Sequence, residues 1–291
     1  MKALVAGAAG QLGRELVARL GGECAWAGDR PELDVTDADA VAALVRRVAP
    51  EVVFNASAWN RVDAAEAEPA AALAVNALAP HALAVAARDA GAVLVHVSTD
   101  YVFDGTSRRP YREDDLPAPL CAYGASKLAG EALVHASGAE QLVVRTSGVI
   151  GRGGSEQKGG SFVDRILAQA RAGRPLRVVA DQVFAPTIAA DLAGALVALV
   201  RAGARGLFHV TSAGSCSWHE LALAALQLSG LTASVEPIAL AELRLPARRP
   251  LYSVLDCSRY LALGLERPRH WREALADCVS GAVPASPATR I

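Results

Sequence analysis

Apolar runs and amphipathic stretches alternate from the first residue of this chain, and that alternation limits the available folds more than any other feature. "KALVA" reads as a strand and "QLGRELVARL" has helical spacing. "ECAWAG" is a short strand, followed by the amphipathic "DADAVAALVRRV" with Thr36 as its N-cap. "EVVFNAS" is a strand, a long Ala-rich helix runs from about Pro69 to Asp89, and "GAVLVHVS" is a strand again. After a polar loop from Asp104 to Pro119 come the helical "YGASKLAGEALVHA" and the strand "QLVVRTS". Strands that are apolar on both faces, each followed by a helix, predict an α/β protein with a doubly wound parallel sheet and right-handed crossovers.

The regularity weakens after Ile150, which divides the expected fold. Residues 1–150 are read as a dinucleotide-binding domain. Residues 151–291 are mainly a smaller α/β lobe that binds substrate, with the chain crossing back to the main sheet around 185–210. Helices are expected at roughly 161–172, 188–201 and 217–229, with strands at "LRVVA", "GLFHV" and "SVEPI". "GRGGSEQKGG" reads as a polar loop and "SGAVPASPATRI" as a frayed tail.

Bulk properties remove several partner classes. The formal net charge is −1, which gives no electrostatic footprint for nucleic acid or an acidic membrane surface. The five cysteines are scattered, with none in a C-x-x-C pair, and read as reduced thiols of a cytoplasmic protein. The apolar start breaks too early for a leader peptide, and the run Leu192–Val200 is too short to span a bilayer.

Two stretches carry chemistry. "GAAGQLG" places Gly7, Gly10 and Gly13 between the first strand and the first helix. Glycines there permit a tight turn and close approach of a pyrophosphate to the backbone, and the helix N-terminus offers N–H groups to it. An ordinary tight turn would also use such glycines, but the strand–turn–helix context favours a nucleotide and a Rossmann-type sheet. "YGASK" places Tyr123 and Lys127 on one helical face. An adjacent ammonium would lower the phenol pKa and fit Tyr123 for proton transfer to a carbonyl undergoing hydride transfer. "VSTD" lies some twenty-five residues earlier, and Thr99 in it could bond the same carbonyl oxygen. His81, His96 and His219 read as structural.

"GAAGQLGREL", "LDVTD", "NASAWNRVDAAE", "VSTDYVFDG", "YGASKLAGE", "DQVFAPT" and "RRPLYSVLD" together resemble the dTDP-4-dehydrorhamnose reductase family, of the extended short-chain dehydrogenase/reductases, over nearly the whole chain. The resemblance implies NADPH or NADH as cofactor, a nucleotide sugar as substrate and a homodimer. It places Gln11 and Leu12 along the pyrophosphate, Asp34 and Val35 beside the adenine, and Ala58, Trp59 and Asn60 near the inner half of the cofactor. Asp29 and Arg30, at the end of the second strand, would read the adenosine ribose. An Asp suits a free 2′-hydroxyl and an Arg a 2′-phosphate, so both cofactors are expected, with NADPH preferred. Tyr123 would donate the proton, Lys127 would hold the nicotinamide ribose, and Thr99, Asp100 and Tyr101 would face the sugar. Arg249 would lie near the nucleotide. For Asp34 a helix cap, and for Arg249 a solvated charge, are the plainer readings.

Two positions depart from the family pattern: Gly148 where an aromatic, commonly Trp, is usual, and Phe184 where Gly is usual. A swap is expected, with the Phe184 ring reaching toward Gly148 and walling the sugar; the plainer reading is a Phe in the lobe's core. Some family members are described with Mg²⁺ at a dimer contact. Glu15 matches part of that site, but the C-terminus lacks an acid, so no metal is assigned. Alternatives to the reductase are an epimerase or dehydratase of the same superfamily, and a non-catalytic NADP-binding regulatory subunit of the kind that serves methionine adenosyltransferase.

Overall fold

A computed structural model describes residues 1–151 and 160–280. The segment 152–159, which holds most of the expected polar loop, and the tail at 281–291 lie outside the described residues.

The main sheet has six parallel strands in the order β10–β5–β4–β3–β1–β2. They are β1 (Ala3–Ala6), β2 (Cys24–Gly28), β3 (Val52–Asn55), β4 (Val93–Thr99), β5 (Gln141–Thr146) and β10 (Gly206–His209). All residues of β1 and β3 are buried, as expected for strands covered on both faces. One cover consists of α1 (Gln11–Leu20) and α8 (Ala189–Arg201), whose Leu12, Leu16, Leu192 and Leu196 share a core with Val5, Phe54 and Val144. The other consists of α2 (Ala38–Val48), α5 (Ala79–Asp89) and α6 (Ala122–Ala136), packed on Leu4, Val53, Leu94 and Val143. Helix α2 starts one residue later than expected. Asp37, rather than Thr36, is its N-cap and accepts from the Ala40 N–H, because the Thr36 hydroxyl is already bonded to Asp34.

The Ala-rich helix from Pro69 to Asp89 is long and apolar enough to cross a membrane by length and composition, but half of the apolar window is buried within the fold. It is interrupted by a π turn at Ala74–Leu78, between α4 (Pro69–Leu73) and α5. Helix α6 closes on this turn so tightly that a Cβ at Gly130 would lie 2.1 Å from the Asn76 carbonyl oxygen.

Beyond Ile150 the chain builds a second core. Val163, Ile166 and Leu167 of α7 (Phe162–Arg171) pack against Leu221, Ala222 and Leu226 of α9 (Trp218–Leu228), with Trp271 and Leu275 of α11 (Trp271–Ser280). Three two-stranded sheets serve it. In them β7 (Leu176–Val179) pairs with β12 (Val235–Ile238), β8 (Val183–Phe184) with β11 (Cys216–Ser217), and β6 (Val149–Ile150) with β9 (Thr187–Ile188). Between these pieces α8 and β10 belong to the main sheet, so the chain passes from one core to the other and back.

Candidate active site

The strand order reverses between β1 and β3, and ligands of such sheets sit at the carboxyl ends beside that reversal. Gly7 follows β1 there with φ +83°, and a Cβ on it would lie 2.5 Å from the Ser57 amide nitrogen. Gly13 is needed for a different reason: its Cβ would stand 2.0 Å from the Gly7 carbonyl, so α1 could not seat against the loop. The N-cap of α1 is Gly10, which has no side chain to cover the helix N-terminus. These features fit a dinucleotide phosphate.

The other residues expected at the cofactor have mixed positions. The Asp29 carboxylate accepts from the Ala9 N–H at 3.0 Å and so ties the end of β2 to the glycine loop. Arg30 pairs with Asp34 at 2.8 Å, and Asp34 also accepts from the Thr36 N–H and hydroxyl. The Arg30 and Thr36 hydrogen bonds hold the Asp34 carboxyl down at about 2. Gln11 Oε1 accepts from the Gly151 N–H, Leu12 is buried in the core, and Val35 is half-buried against α2. Ala58 and Asn60 are exposed around Trp59. The Trp59 backbone is clamped on both sides by the Asn76 side chain, at 2.8 and 3.0 Å, while its indole N–H is buried without a partner. Asn76 sits on the π turn, in an Ala-rich helix whose pattern gives the residue no visible role.

One face of α6 carries Tyr123, Lys127 and Glu131 at i, i+4 and i+8. Gly124 lets that face approach, since a Cβ there would be 2.2 Å from the Tyr101 carbonyl. Tyr123 lies at the end of β4 beside the Thr99 hydroxyl, edge-on to Tyr101 with ring centroids 5.6 Å apart. Lys127 is buried, donates to the Val97 carbonyl at 2.7 Å and lies 3.4 Å from His96 Nε2. Burial brings its pKa down to about 8, against a smaller opposing pull from Glu131. The expected lowering of the phenol is not found. Desolvation raises the Tyr123 pKa, and the Thr99 hydrogen bond offsets only part of this. The phenol therefore stays protonated across any ordinary working pH.

The Asp100 carboxylate, expected to face the sugar, is buried in the structure. After Thr99 the chain enters a 3-10 turn (Asp100–Val102) that carries the carboxylate inward. There it accepts from Thr99 at 3.1 Å, Ser147 at 2.7 Å and Ser253 at 2.5 Å. Burial raises its pKa despite these three bonds.

Tyr101 does reach an open cleft of about 360 Å³ between the two cores, together with Gln182, Phe162, Trp218, Arg177 and Arg249. Arg249 forms a two-pronged bond to Asp63, at 3.0 and 2.7 Å, and stays largely shielded from solvent. It is thus a fixed cation, not a solvated one. A larger depression of about 500 Å³, near Arg112, Asp256 and Arg259, holds none of the groups at the strand ends.

The Phe184 ring does meet Gly148, whose φ is +47°: a Cβ there would fall 2.2 Å from Phe184 Cε2. It is only 2 % exposed, however, and stacks on Trp218 at 4.1 Å within the second core. Phe184 therefore fills the space beside Gly148 and backs the wall; Trp218 and Phe162, 4.8 Å apart, present the aromatic surface to the cleft. Those two were not singled out in the sequence, because segments far apart bring them together. Among the described residues no cluster of three or more His, Cys, Asp or Glu side chains is placed to hold a metal ion.

A parallel sheet with a glycine loop at its switch point, and a Tyr-x-x-x-Lys helix laid against the neighbouring strand end, defines an NAD(P)-dependent oxidoreductase of the short-chain dehydrogenase/reductase kind. The chain belongs to the RmlD substrate binding domain family, which it matches over residues 1–283. It is 44% identical over 283 residues to the dTDP-4-dehydrorhamnose reductase of Streptomyces griseus, covering 94% of this chain and 91% of that one. It is 43% identical over 278 residues to a dTDP-4-keto-6-deoxy-D-glucose reductase of Streptomyces niveus, covering 94% and 95%. Among solved structures, the dTDP-4-dehydrorhamnose reductase of Bacillus anthracis in complex with NADP superposes with a TM-score of 0.91 at 34% identity, over 96% of this chain and 99% of that one.

Proposed function

We infer that the protein reduces the C4 keto group of a dTDP-4-dehydro-6-deoxyhexose with NADPH or NADH, giving dTDP-L-rhamnose or a close relative. The observation that carries this reading is Tyr123, one turn before the buried Lys127 on α6, set edge-on to Tyr101, which lines the cleft with Arg249. Gly7, Gly10 and Gly13 and the open N-terminus of α1 would hold the pyrophosphate, and Lys127 the nicotinamide ribose. When bound, the nicotinamide supplies the hydride. The chain's own part is to hold the ketone oxygen between Thr99 and Tyr123 and to deliver the phenol proton to the oxygen as negative charge develops on it. Burial keeps the phenol protonated before the ketone arrives, so the proton is present to be given. Arg249, fixed by Asp63, offers its guanidinium to a diphosphate or to the nucleotide.

An epimerase or dehydratase would need a second acid or base facing the sugar, and Asp100 is consumed by three hydroxyls. A regulatory subunit would have no use for a shielded Thr99–Tyr123–Lys127 set. The five cysteines are all free, which supports a reducing compartment such as the cytoplasm, and the family resemblance supports a homodimer. The deciding experiment is NADPH and NADH oxidation against a panel of dTDP-4-keto sugars, with Tyr123→Phe as control. Turnover should fall by about 10²–10⁴-fold in the variant with cofactor binding nearly unchanged. Wild-type turnover in Tyr123→Phe would reject the proton-donor assignment, and no oxidation with any sugar would reject the reductase.

A further inference from the structure

Lys127 is one of only three lysines in a chain whose remaining basic residues are arginines, and it is the end of a buried chain of polar groups. In the parallel register Asn55 of β3 lies beside His96 of β4, so their side chains share a face, and α6 lowers Lys127 onto it. All three residues are at most 1 % exposed. Asn55 Oδ1 accepts from the Ser57 N–H at 3.1 Å and the Ser57 hydroxyl at 2.5 Å. A backbone N–H can only donate, so this bond fixes the amide orientation and turns Asn55 Nδ2 toward His96 Nδ1, 3.1 Å away. Nδ1 must then accept. In a neutral imidazole the proton is left on Nε2, which faces Lys127 Nζ at 3.4 Å.

A Nε2–H aimed at an ammonium opposes one donor with another, whereas an amine nitrogen could accept it. We propose that His96 is a positioning residue which biases Lys127 toward its neutral form, through a tautomer imposed by Asn55 and Ser57. The inference rests on the reading of Lys127 as part of the reductase pair. The charged and titratable groups around Lys127 are few. Glu131, one turn along α6, favours the ammonium but is shared with Arg145 of β5 and Ser98 of β4. Tyr123, one turn back on α6, is uncharged, and the π turn offers only the neutral Asn76. Burial and the Lys127 charge both keep His96 neutral, far below the usual histidine range. Lys127 then carries a charge that can change within the working pH range, unlike an ordinary lysine. Its grip on a ribose hydroxyl would pass from a charge-assisted bond to a neutral one as pH rises. The chain also ends at Ser57, whose amide lies under Gly7 of the glycine loop, so it links the two ends of the cofactor site.

The test is made on the protein without cofactor or substrate. With lysine 13C-labelled at Cε, three resonances are expected in a pH titration. The Lys127 resonance, assigned by its absence in Lys127→Arg, should titrate near about 8, below the ordinary lysine value of about 10.4. His96→Leu keeps the site dry but removes the Nε2–H, so the Lys127 midpoint should rise by roughly half a unit to one unit. The alkaline limb of the turnover profile should move with it. A Lys127 that titrates with the other lysines, or an unmoved midpoint in His96→Leu, overturns the proposal. Should His96→Leu fail to fold, 15N spectra of the wild-type imidazole decide: the Nε2–H tautomer between pH 5 and 9 upholds it, and the Nδ1–H tautomer overturns it. Absence of reductase activity with these titrations intact would reject the proposed function and leave the role of His96 standing.

Discussion

Replacing Glu131 with Gln is expected to cost the fold about 3–5 kcal/mol, because it leaves a buried guanidinium without its counter-charge. Arg145 donates to Glu131 through Nε at 2.9 and 3.2 Å and through Nη2 at 2.7 Å, with side-chain exposures of only 4% and 10%. The Ser98 hydroxyl donates to the same carboxylate at 2.5 Å. Arg145 has no spare partner to turn to: its Nη1 is already unbonded, and its other face lies over the Phe103 ring at 5.2 Å. The assay is urea unfolding at pH 7, reading the midpoint at constant m. The double variant Glu131→Leu/Arg145→Met removes both charges and should be far less destabilised than the sum of its singles, with a coupling of at least about 2 kcal/mol. Arg177→Ala serves as control. Its pairs with Glu236 and Glu242 are half exposed, and its loss should cost about 0–1 kcal/mol. A Glu131→Gln loss no larger than this control, or simple additivity in the double variant, would refute the reasoning.

Gly148→Trp should be poorly tolerated alone, because its Cβ meets the Phe184 ring, and better tolerated with Phe184→Gly; thermal unfolding should show a coupling of about 1–3 kcal/mol, and additivity would mean that the two positions do not share space. Arg30→Ala should raise the Michaelis constant for NADPH and leave that for NADH unchanged, since the guanidinium is half exposed and held only by Asp34; equal effects would remove Arg30 from cofactor choice. Acid should destabilise the fold from about pH 6.5 downward. Burial, reinforced by Arg145, depresses His209 to about 3, and His96 is depressed as well, so the unfolded chain binds protons that the native one refuses. His209→Phe should remove about one proton from the slope of stability against pH between 6 and 4, and an unchanged slope would show that His209 is charged in the native state.

The strands and the Tyr123–Lys127 pair were legible because their signals are local: a run apolar on both faces, and a spacing of one helical turn. The inward turn of Asp100 is not legible in the sequence, because strand alternation stops at Thr99 and the 3-10 turn that follows leaves no mark in an apolar-polar pattern. The lowered phenol pKa was expected from spacing alone, which takes no account of how dry the strand end is. His96 looked structural as a lone histidine. What gives it a direction is its register beside Asn55, forty-one residues away, although a polar residue within each of two buried strands was the available trace. The π turn was invisible for a related reason, since one inserted residue in an Ala-rich helix disturbs no periodicity.

The carboxylate of Asp100 joins three distant parts of the chain next to the residue expected to hold the ketone. Its partners at Ser147 and Ser253 lie 47 and 153 residues downstream. Without them a buried Asp100 would keep only the bond from the adjacent Thr99 hydroxyl, and leaving a buried carboxylate short of donors is costly. Through Asp100, the geometry of Thr99 is tied to the segment around Ser253. A chain cut short before Ser253 would still contain all six strands of the main sheet but would lack one of the bonds that hold the end of β4. In this protein the end of β4 is held from three separate stretches of sequence, so its order depends on the polypeptide having closed around it.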